Sequence, residues 1–197
     1  MTEQPKRKPK KTDEFHDTAN LIADEVRFAL NKVDPTSAEE LLEAILAADQ
    51  VFVIGVGRVF LALQGFAKRL AHLGVRVYLV GQITEPAIGP RDLLIIGSGS
   101  GESLVPVAIA RKAKSLGARI AHIGSNPASS LRPITDIFVR IPTCTKLERP
   151  DEIQSQQPMT TLFDQSLLLF GDALCMMISR RRNLDTKALW KHHANLE

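Results

Sequence analysis

The segment LLIIGSGSGES, residues 93–103, decides the fold class, because an apolar run changes abruptly into alternating glycines and serines. A continuous run of branched aliphatic residues is typical of a strand that is buried on both faces of a sheet. The pattern that follows, LVPVAIARKAKSLG, has helical apolar spacing and ends at Gly117, a usual helix stop. Residues 93–117 are therefore predicted to form a strand, a turn and a helix.

The same order of elements recurs on both sides of this unit. Two amphipathic helices are predicted between residues 15 and 50, and a long apolar helix from about Thr160 to Arg182. The other predicted strands are VFVIGVG (51–57), VRVYLVG (75–81), ARIAHIGSN (118–126) and DIFVRIP (136–142), with a helix at 58–74. Buried strands that alternate with amphipathic helices favour a parallel sheet covered by helices on both faces.

Composition favours one domain with a basic end. The chain has 197 residues, of which 44% are hydrophobic, and this length suits a single globular domain. The formal charge of +3 owes much to the first eleven residues, which carry Lys6, Arg7, Lys8, Lys10 and Lys11. We predict a disordered basic tail at 1–14 and a single domain at 15–197, with no nucleic-acid partner.

The cysteines and the apolar segments predict the cellular compartment. Cys144 and Cys175 show neither metal-ligand spacing nor a paired framework, which is usual for thiols in a reducing cytosol. The first fifteen residues lack the apolar core of a signal peptide, and no segment reaches the ~18 uninterrupted apolar residues of a membrane span. We expect a soluble cytoplasmic protein with no membrane partner.

The glycine-serine turn has the composition of an anion site. A turn that leads from a parallel strand into a helix directs several backbone N–H groups at one point, where the helix dipole also favours negative charge. Gly99 and Gly101 allow close approach to the backbone, and the hydroxyls of Ser98, Ser100 and Ser103 add neutral donors. These groups predict a monophosphorylated metabolite as the ligand.

Motif spacing disfavours nucleotide and metal sites. A P-loop contains Gly-Lys-Ser or Gly-Lys-Thr, whereas Gly101 is followed by Glu102 and Ser103, so ATP hydrolysis is disfavoured. The other glycine turn, GVGRVF, has Phe60 in place of the third glycine of a dinucleotide fingerprint, which argues against NAD. The histidines have no carboxylate or cysteine at ligand spacing, so no metal site is predicted.

Several segments resemble one branch of the SIS (sugar isomerase) domain family. The turn DLLIIGSGSGES is similar to SIS domains in general, whereas RLAHLG (69–74), QPMTTLFDQ (157–165) and HHANLE (192–197) resemble the 6-phospho-3-hexuloisomerases. The resemblance covers about residues 15–197. It implies a three-layer αβα sandwich with a five-stranded parallel sheet and flavodoxin-like winding, assembled as a homotetramer or, alternatively, a dimer.

The resemblance also implies a reaction and the residues that perform it. The family interconverts D-arabino-hex-3-ulose 6-phosphate and fructose 6-phosphate through a cis-enediol, without metal or organic cofactor, after formaldehyde fixation in the ribulose monophosphate pathway. It implies that Asp164 is the proton-carrying base, that Arg58 is a cation near the phosphate or oxyanion, and that His193 reaches a neighbouring subunit's pocket. The implied substrate and phosphate site comprises Gly57, Ser98, Gly99, Ser100, Gly101, Ser103 and Gln157.

Three positions depart from the family pattern. Val59 stands where the family's GRS motif has serine, and Asp164 and Gln82 stand where relatives carry glutamate. Aspartate is shorter than glutamate by one methylene, and a misplacement of about 1 Å can cost on the order of a hundredfold in rate. Glu85, three positions after Gln82, offers a partial replacement. These departures leave open a reduced or redirected activity.

Other interpretations stay open for the candidate residues and for the function. Arg58 also suits a subunit-interface or surface salt bridge, Asp164 a first-turn helix carboxylate, and His193 a docked tail. A sugar-phosphate sensor is a second hypothesis, although the roughly fifty residues before VFVIG are few for a helix-turn-helix domain as well. An isomerase of another phosphosugar is a third, and HANLE argues against it. The polar loop at 142–158 is long enough for a functional lid.

Overall fold

The strand, turn and helix predicted at 93–117 form one unit in the computed structural model, which describes residues 11–185 and 187–193. Strand β3 spans Leu93–Gly97 and is buried at every position, and helix α4 spans Leu104–Ser115. Gly117 has a positive φ of 86° just after α4, the left-handed conformation that favours glycine at a helix end. The local prediction is therefore confirmed.

Within the described part of the chain, four further strands and four further helices surround this unit. The strands are β1 (Val51–Ile54), β2 (Val77–Leu79), β4 (Arg119–Gly124) and β5 (Ile137–Arg140). The helices are α1 (Lys11–Leu30), α2 (Pro35–Ala47), α3 (Gly57–His72) and α5 (Thr161–Arg181). Short 3-10 helices lie at Arg132–Ile134 and Ala188–His192.

The strands form one parallel sheet in the order β2-β1-β3-β4-β5. The register places Leu94 of β3 beside Phe52 of β1 on one side and Ile120 of β4 on the other. This is the flavodoxin-like winding, and the order reverses between β1 and β3. The predicted αβα sandwich with a five-stranded parallel sheet is confirmed, and its topology directs a ligand to the carboxyl ends of β1 and β3.

Alternate strand residues face two different apolar layers. Val53 and Ile95 face α2, α3 and α5, where Phe66 is fully buried. Phe52 and Leu94 face the opposite layer, which α4 covers. Because both faces of the sheet are covered, the central strands are apolar at consecutive positions, which explains their continuous hydrophobic runs.

Helix α1 begins at Lys11, before the predicted domain boundary at residues 14 and 15. Asp13 and Glu14 lie in its first turn, where negative charge interacts favourably with the helix dipole. The prediction of a disordered tail therefore extended too far along the chain. Residues 1–10 of that predicted tail lie outside the described residues.

Helix α5 is a core helix of this domain. It is long and apolar enough to span a membrane, with a mean hydropathy of 1.4, but 56% of that stretch is buried inside the domain. It packs closely on α3, since a Cβ on Gly171 would lie 2.8 Å from Cγ of Phe66. Leu168, Leu169 and Met176 remain on its exposed side. The predicted apolar helix therefore lies in the core of the domain.

Candidate active site

A cavity of about 660 Å³ opens at the carboxyl ends of β1 and β3, where the strand order reverses. Its wall consists of the start of α3, the serine loop (residues 98–103), part of the β5–α5 loop (residues 141–160) and the first turn of α5. Six predicted site residues lie in this wall: Arg58, Ser98, Gly99, Ser100, Ser103 and Asp164. The structure thus brings together residues that are up to 106 positions apart.

The serine loop is held by its own hydrogen bonds. The Ser98 hydroxyl accepts from the Gly101 N–H at 3.1 Å, and its Oγ lies 3.4 Å from Oγ of Ser103. Gly101 has a positive φ of 67°, and a Cβ there would lie 2.4 Å from Cβ of Ser129. Gly101 therefore shapes the turn, while Ser98, Ser100 and Ser103 lie in the cavity wall.

A buried histidine on β4 supports the serine loop. Nε2 of His122 lies 2.9 Å from the Ser98 carbonyl oxygen, which only accepts hydrogen bonds, so Nε2 carries the proton. Its Nδ1 has no hydrogen-bond partner among the described residues. Burial lowers the pKa of His122 to about 4, so the ring is neutral at pH 7. Sequence analysis gave His122 no role, because this contact arises only from the pairing of β3 with β4.

Asp164 is the buried carboxylate of the cavity. It lies in the first turn of α5, is 5% exposed, and its Oδ2 accepts from Nε of Arg58 at 3.0 Å. Its Oδ1 has no hydrogen-bond partner among the described residues. Burial raises the pKa of Asp164, and the hydrogen bond and charge of Arg58 oppose that rise without cancelling it. A carboxylate with one unpartnered oxygen in a cavity wall can act as a general base.

The turn after β1 contributes a cation and an apolar surface. Gly57 has a positive φ of 56° at the start of α3 and is not itself part of the cavity wall. Arg58 follows it, with a side chain that is 66% exposed and bound to Asp164. Val59 packs on Gly97, where a Cβ would lie 2.9 Å from Cγ1 of Val59. Val59 therefore gives the wall a methyl surface where the family pattern has a hydroxyl.

A buried carboxylate organises the first half of the β5–α5 loop. Glu152, which is 6% exposed, accepts from the backbone N–H and the hydroxyl of Thr145, both at 2.8 Å. It also accepts from the Arg149 N–H at 3.3 Å. A parallel bridge between Thr143 and Ile153 closes the same segment. This half of the loop is therefore internally hydrogen-bonded.

Glu25 of α1 holds the second half of the β5–α5 loop. Its carboxylate accepts from the Ser155 hydroxyl at 2.6 Å, the Gln156 N–H at 2.8 Å and the Gln157 side-chain amide at 3.0 Å. Burial raises the pKa of Glu25, but these hydrogen bonds outweigh it and lower the pKa overall. The structure does not place Gln157 in the cavity wall of its own chain, because Glu25 draws its amide towards α1.

Lys146 is a charged cavity residue that sequence analysis missed. It lines the cavity together with Thr145, and both belong to the polar segment that was predicted to form a lid. One signal was available in the sequence: this segment follows β5, whose carboxyl end lies at the same edge of the sheet as the serine loop. Which of its polar residues turns towards the cavity depends on the Glu152 contacts, which no local pattern reveals.

His193 lies outside this cavity in its own chain. Its ring stacks on His72 with centroids 5.3 Å apart and lies 5.1 Å from the ring of Trp190, in a separate cavity of about 280 Å³. The 3-10 helix at Ala188–His192 docks this end of the chain against α3. A catalytic role for His193 therefore requires contact with another copy of the chain.

Three other polar residues near the predicted site form hydrogen bonds within the protein. Gln82 accepts from the Leu79 N–H and Glu85 from the Gly81 N–H, so both shape the turn after β2 and neither lines the cavity. Glu102 binds the N–H and hydroxyl of Ser130 at 2.8 and 2.6 Å. Within the described ranges, no group of three or more potential ligand side chains is placed to hold a metal ion.

The sequence model of the SIS domain matches residues 44–169. The chain belongs to the SIS domain family. The matched range begins within α2 and ends within α5, so it includes all strands of the described sheet, the serine loop and Asp164.

Two curated relatives within the SIS family carry the same name. The 3-hexulose-6-phosphate isomerase of Bacillus subtilis (strain 168) is 38% identical over 185 residues, which cover 94% of this chain and 94% of the relative. The 3-hexulose-6-phosphate isomerase of Mycobacterium gastri is also 38% identical over 185 residues, covering 94% of this chain and 92% of the relative. The similarity therefore extends over nearly the whole of each protein.

A solved SIS structure agrees with the fold. The crystal structure of a hypothetical protein from Methanococcus jannaschii superposes with a TM-score of 0.80 at 28% identity. The match covers 92% of this chain and 99% of that one. That structure is described as inferring a molecular function of 3-hexulose-6-phosphate isomerase.

Proposed function

We propose that this protein is an isomerase that interconverts D-arabino-hex-3-ulose 6-phosphate and fructose 6-phosphate through a cis-enediol. The observation that carries the proposal is one cavity whose wall contains both the serine loop and the half-partnered carboxylate of Asp164. The relatives named 3-hexulose-6-phosphate isomerase, at 38% identity over nearly the whole chain, support the same reaction.

The substrate phosphate binds at the serine loop in this proposal. The hydroxyls of Ser98, Ser100 and Ser103 line the cavity, and the N-terminal end of α4 adds backbone N–H donors and a favourable dipole. A cavity of about 660 Å³ has room for a hexose phosphate. With the phosphate held at this loop, the sugar carbons face the rest of the wall, which includes Asp164.

The proton transfer assigned to Asp164 balances without a further reactant. From fructose 6-phosphate, the carboxylate takes the proton on C3, the C–H electrons form a C2–C3 double bond, and O2 becomes the enediolate oxygen. The O3 proton then moves to O2, and the protonated Asp164 returns its proton to C2 as the C3–O3 carbonyl forms, which gives the 3-ulose. Oδ1 of Asp164 is the atom for this transfer, because no described residue binds it. Neither a metal nor an organic cofactor takes part in this scheme.

Arg58 has two roles in the proposal. Its Nε binds Oδ2 of Asp164 at 3.0 Å, which fixes the carboxylate and favours its ionised form. The other N–H groups of its guanidinium form no hydrogen bond with any described residue. A guanidinium in that position stabilises the negative charge that develops on the enediolate.

We also infer a cytoplasmic homotetramer, with a dimer as the alternative, that acts on small-molecule substrates and binds neither nucleic acid nor membrane. Exposed apolar side chains on neighbouring helices, Leu61 of α3 with Leu168 and Leu169 of α5, support contacts between subunits. In such an assembly, His193 of one subunit is proposed to reach the cavity of its neighbour. The proposed metabolic context is formaldehyde assimilation by the ribulose monophosphate pathway.

The test is a coupled assay of the conversion between fructose 6-phosphate and the 3-ulose. We expect turnover by the wild type, loss of turnover in Asp164→Asn, and retained turnover in Asp164→Glu, which restores the carboxylate of the family pattern. Turnover at the wild-type rate in Asp164→Asn would remove Asp164 from the mechanism.

The same samples distinguish the isomerase from a sugar-phosphate sensor. A wild type that shows no turnover but gains thermal stability with fructose 6-phosphate would support the sensor. A wild type that turns over a different phosphosugar would instead show that the substrate specificity has changed.

A further inference from the structure

The serine loop has no cation of its own for a phosphate dianion. It offers hydroxyl and backbone N–H donors, and its charged member, Glu102, is negative. Strong binding of a dianion at a partly exposed site usually includes at least one charge-assisted hydrogen bond. Of the cations in the described cavity wall, Arg58 is bound to Asp164, whereas Lys146 forms no hydrogen bond or ion pair with any described residue.

Lys146 lies beside the serine loop. Thr145, its neighbour in sequence, packs on that loop, because a Cβ on Gly99 would lie 3.4 Å from Cγ2 of Thr145. Hydrogen bonds from Ser130 lower the pKa of Glu102, and the nearby charge of Lys146 adds to this lowering. Lys146 and the serine loop therefore line the same cavity, and the charge of Lys146 acts on Glu102 of that loop.

The backbone that carries Lys146 is held in place. The buried carboxylate of Glu152 binds Thr145 through both its N–H and its hydroxyl at 2.8 Å. The Glu148 N–H donates to the Thr145 carbonyl at 3.1 Å, which closes a turn around Lys146. Because the backbone is already fixed, the exposed end of this long side chain can reach a ligand without further ordering of the loop.

We propose that Lys146 is the cation of the substrate's phosphate site, and that Glu152 is the residue that positions it through Thr145. Lys146 thereby sets the preference for a phosphorylated over an unphosphorylated ketose. This inference rests on the proposed function, because it assigns the phosphate to the serine loop. Lys146 makes a direct contact with the ligand in this scheme, whereas Glu152 acts only through the loop.

The direct test compares Lys146→Met and Lys146→Arg with the wild type. We expect the KM for fructose 6-phosphate to rise about 10- to 100-fold in Lys146→Met, the value of one charge-assisted hydrogen bond, while kcat changes far less. Competitive inhibition by inorganic phosphate weakens by a similar factor, and Lys146→Arg recovers most of both effects. Lys112→Met, an exposed lysine in the last turn of α4, is the matched control and retains the wild-type KM.

A binding measurement keeps this test separate from the proposed function. Calorimetric titration with inorganic phosphate needs no turnover, so it reports on Lys146 even where the wild type proves inactive on fructose 6-phosphate. Weaker phosphate binding in Lys146→Met than in Lys112→Met supports the proposal. Equal phosphate affinity in the two variants, or a KM in Lys146→Met within twofold of the wild type, overturns it, as does a wild type that binds no phosphate.

Discussion

Two buried carboxylates, Asp164 and Glu152, lie near the same cavity and are nearly equal in exposure, at 5% and 6%. Both oxygens of Glu152 accept hydrogen bonds from its own loop, from Thr145 and Arg149. Asp164 has one oxygen bound to Arg58 and the other without a partner in the described chain. Burial alone therefore does not distinguish the two carboxylates, whereas an unpartnered oxygen in the cavity wall does.

The burial of Asp164 has a cost for the stability of the fold. Burial raises the pKa of Asp164 above its usual range, so the folded protein favours its neutral form. A group with a raised folded-state pKa stabilises the fold below its unfolded pKa and loses that contribution as the pH rises through the folded pKa. At neutral pH the ionised Asp164 is thus held at some expense of stability, as is common for functional groups.

The largest expected effect separates activity from stability at Asp164. Asp164→Asn removes the proposed base but fits the same space, so we expect kcat to fall by about 10²- to 10⁴-fold. The free energy of unfolding at pH 7 is expected to stay equal or to rise, because the neutral amide avoids the cost of a buried charge. Steady-state kinetics and urea denaturation of the same preparation measure both.

A decrease in unfolding free energy with unchanged kcat would reverse the roles assigned to the two carboxylates. As a control, the free energies of unfolding of the wild type and Asp164→Asn are also compared at pH 3. There the carboxyl group is protonated in both states of the wild type, and the difference in stability is expected to shrink.

His122 extends the comparison to a buried group outside the cavity wall. Its folded-state pKa of about 4 lies below the usual histidine value of 6.5, so the unfolded chain binds more protons between these values. The contribution of His122 to stability is therefore complete above pH 6.5 and is lost as the pH falls towards 4, by about 3 kcal/mol. Urea denaturation at several pH values should show this loss in the wild type but not in His122→Gln.

The exposed His16 supplies the control for this measurement, and His16→Gln should follow the wild-type pH profile. An identical loss of stability on acidification in His122→Gln would mean that other groups, and not His122, cause it.

Glu152→Gln should affect the fold and substrate binding more than the chemical step. An amide supplies only one accepting oxygen, so one of the donors on Thr145 or Arg149 loses its partner. We expect the free energy of unfolding to drop by about 1–3 kcal/mol and the KM to rise, with kcat within a fewfold of the wild type. Glu148→Gln changes an exposed carboxylate in the same loop and should leave both quantities unaltered. A kcat as low as that of Asp164→Asn would contradict a structural role for Glu152.

The smallest expected effect is a shift in pH dependence on changing Arg58. Arg58 opposes the rise in the pKa of Asp164, so Arg58→Gln should raise that pKa further. The acid limb of the kcat/KM profile, along which the carboxylate becomes ionised, should then move to higher pH. Arg91→Gln, which removes an exposed salt bridge to Asp49 away from the cavity, should leave the limb in place. A shift to lower pH in Arg58→Gln would show that Arg58 does not favour the ionised form.

Local patterns predicted the fold and one side of the site. The buried strands and the serine loop follow from contiguous residues, since an apolar run, three glycines and three serines stand together at 93–103. Asp164 and Arg58 were found through motifs of the SIS family, and both lie in the cavity wall. A feature that is specified by about ten consecutive residues could therefore be predicted from the sequence.

The placements that sequence analysis did not anticipate depend on tertiary contacts and not on local periodicity. His122 reaches the serine loop only because β3 and β4 pair, and Gln157 is drawn away from the cavity by Glu25, 132 positions earlier. Lys146 faces the cavity because Glu152 holds the preceding residue. No periodic pattern in the sequence reveals these contacts. The sequence therefore does not indicate which residue of a polar loop faces the cavity.

The most direct test of the central role of Asp164 is deuterium exchange into fructose 6-phosphate in D2O, followed by NMR. A base that carries the proton between C2 and C3 allows solvent deuterium to enter at these carbons, so we expect incorporation with the wild type. Asp164→Asn should slow incorporation by at least about 100-fold while still binding the sugar phosphate. Incorporation by Asp164→Asn at the wild-type rate would contradict the account, because the proton would then be moved by another group.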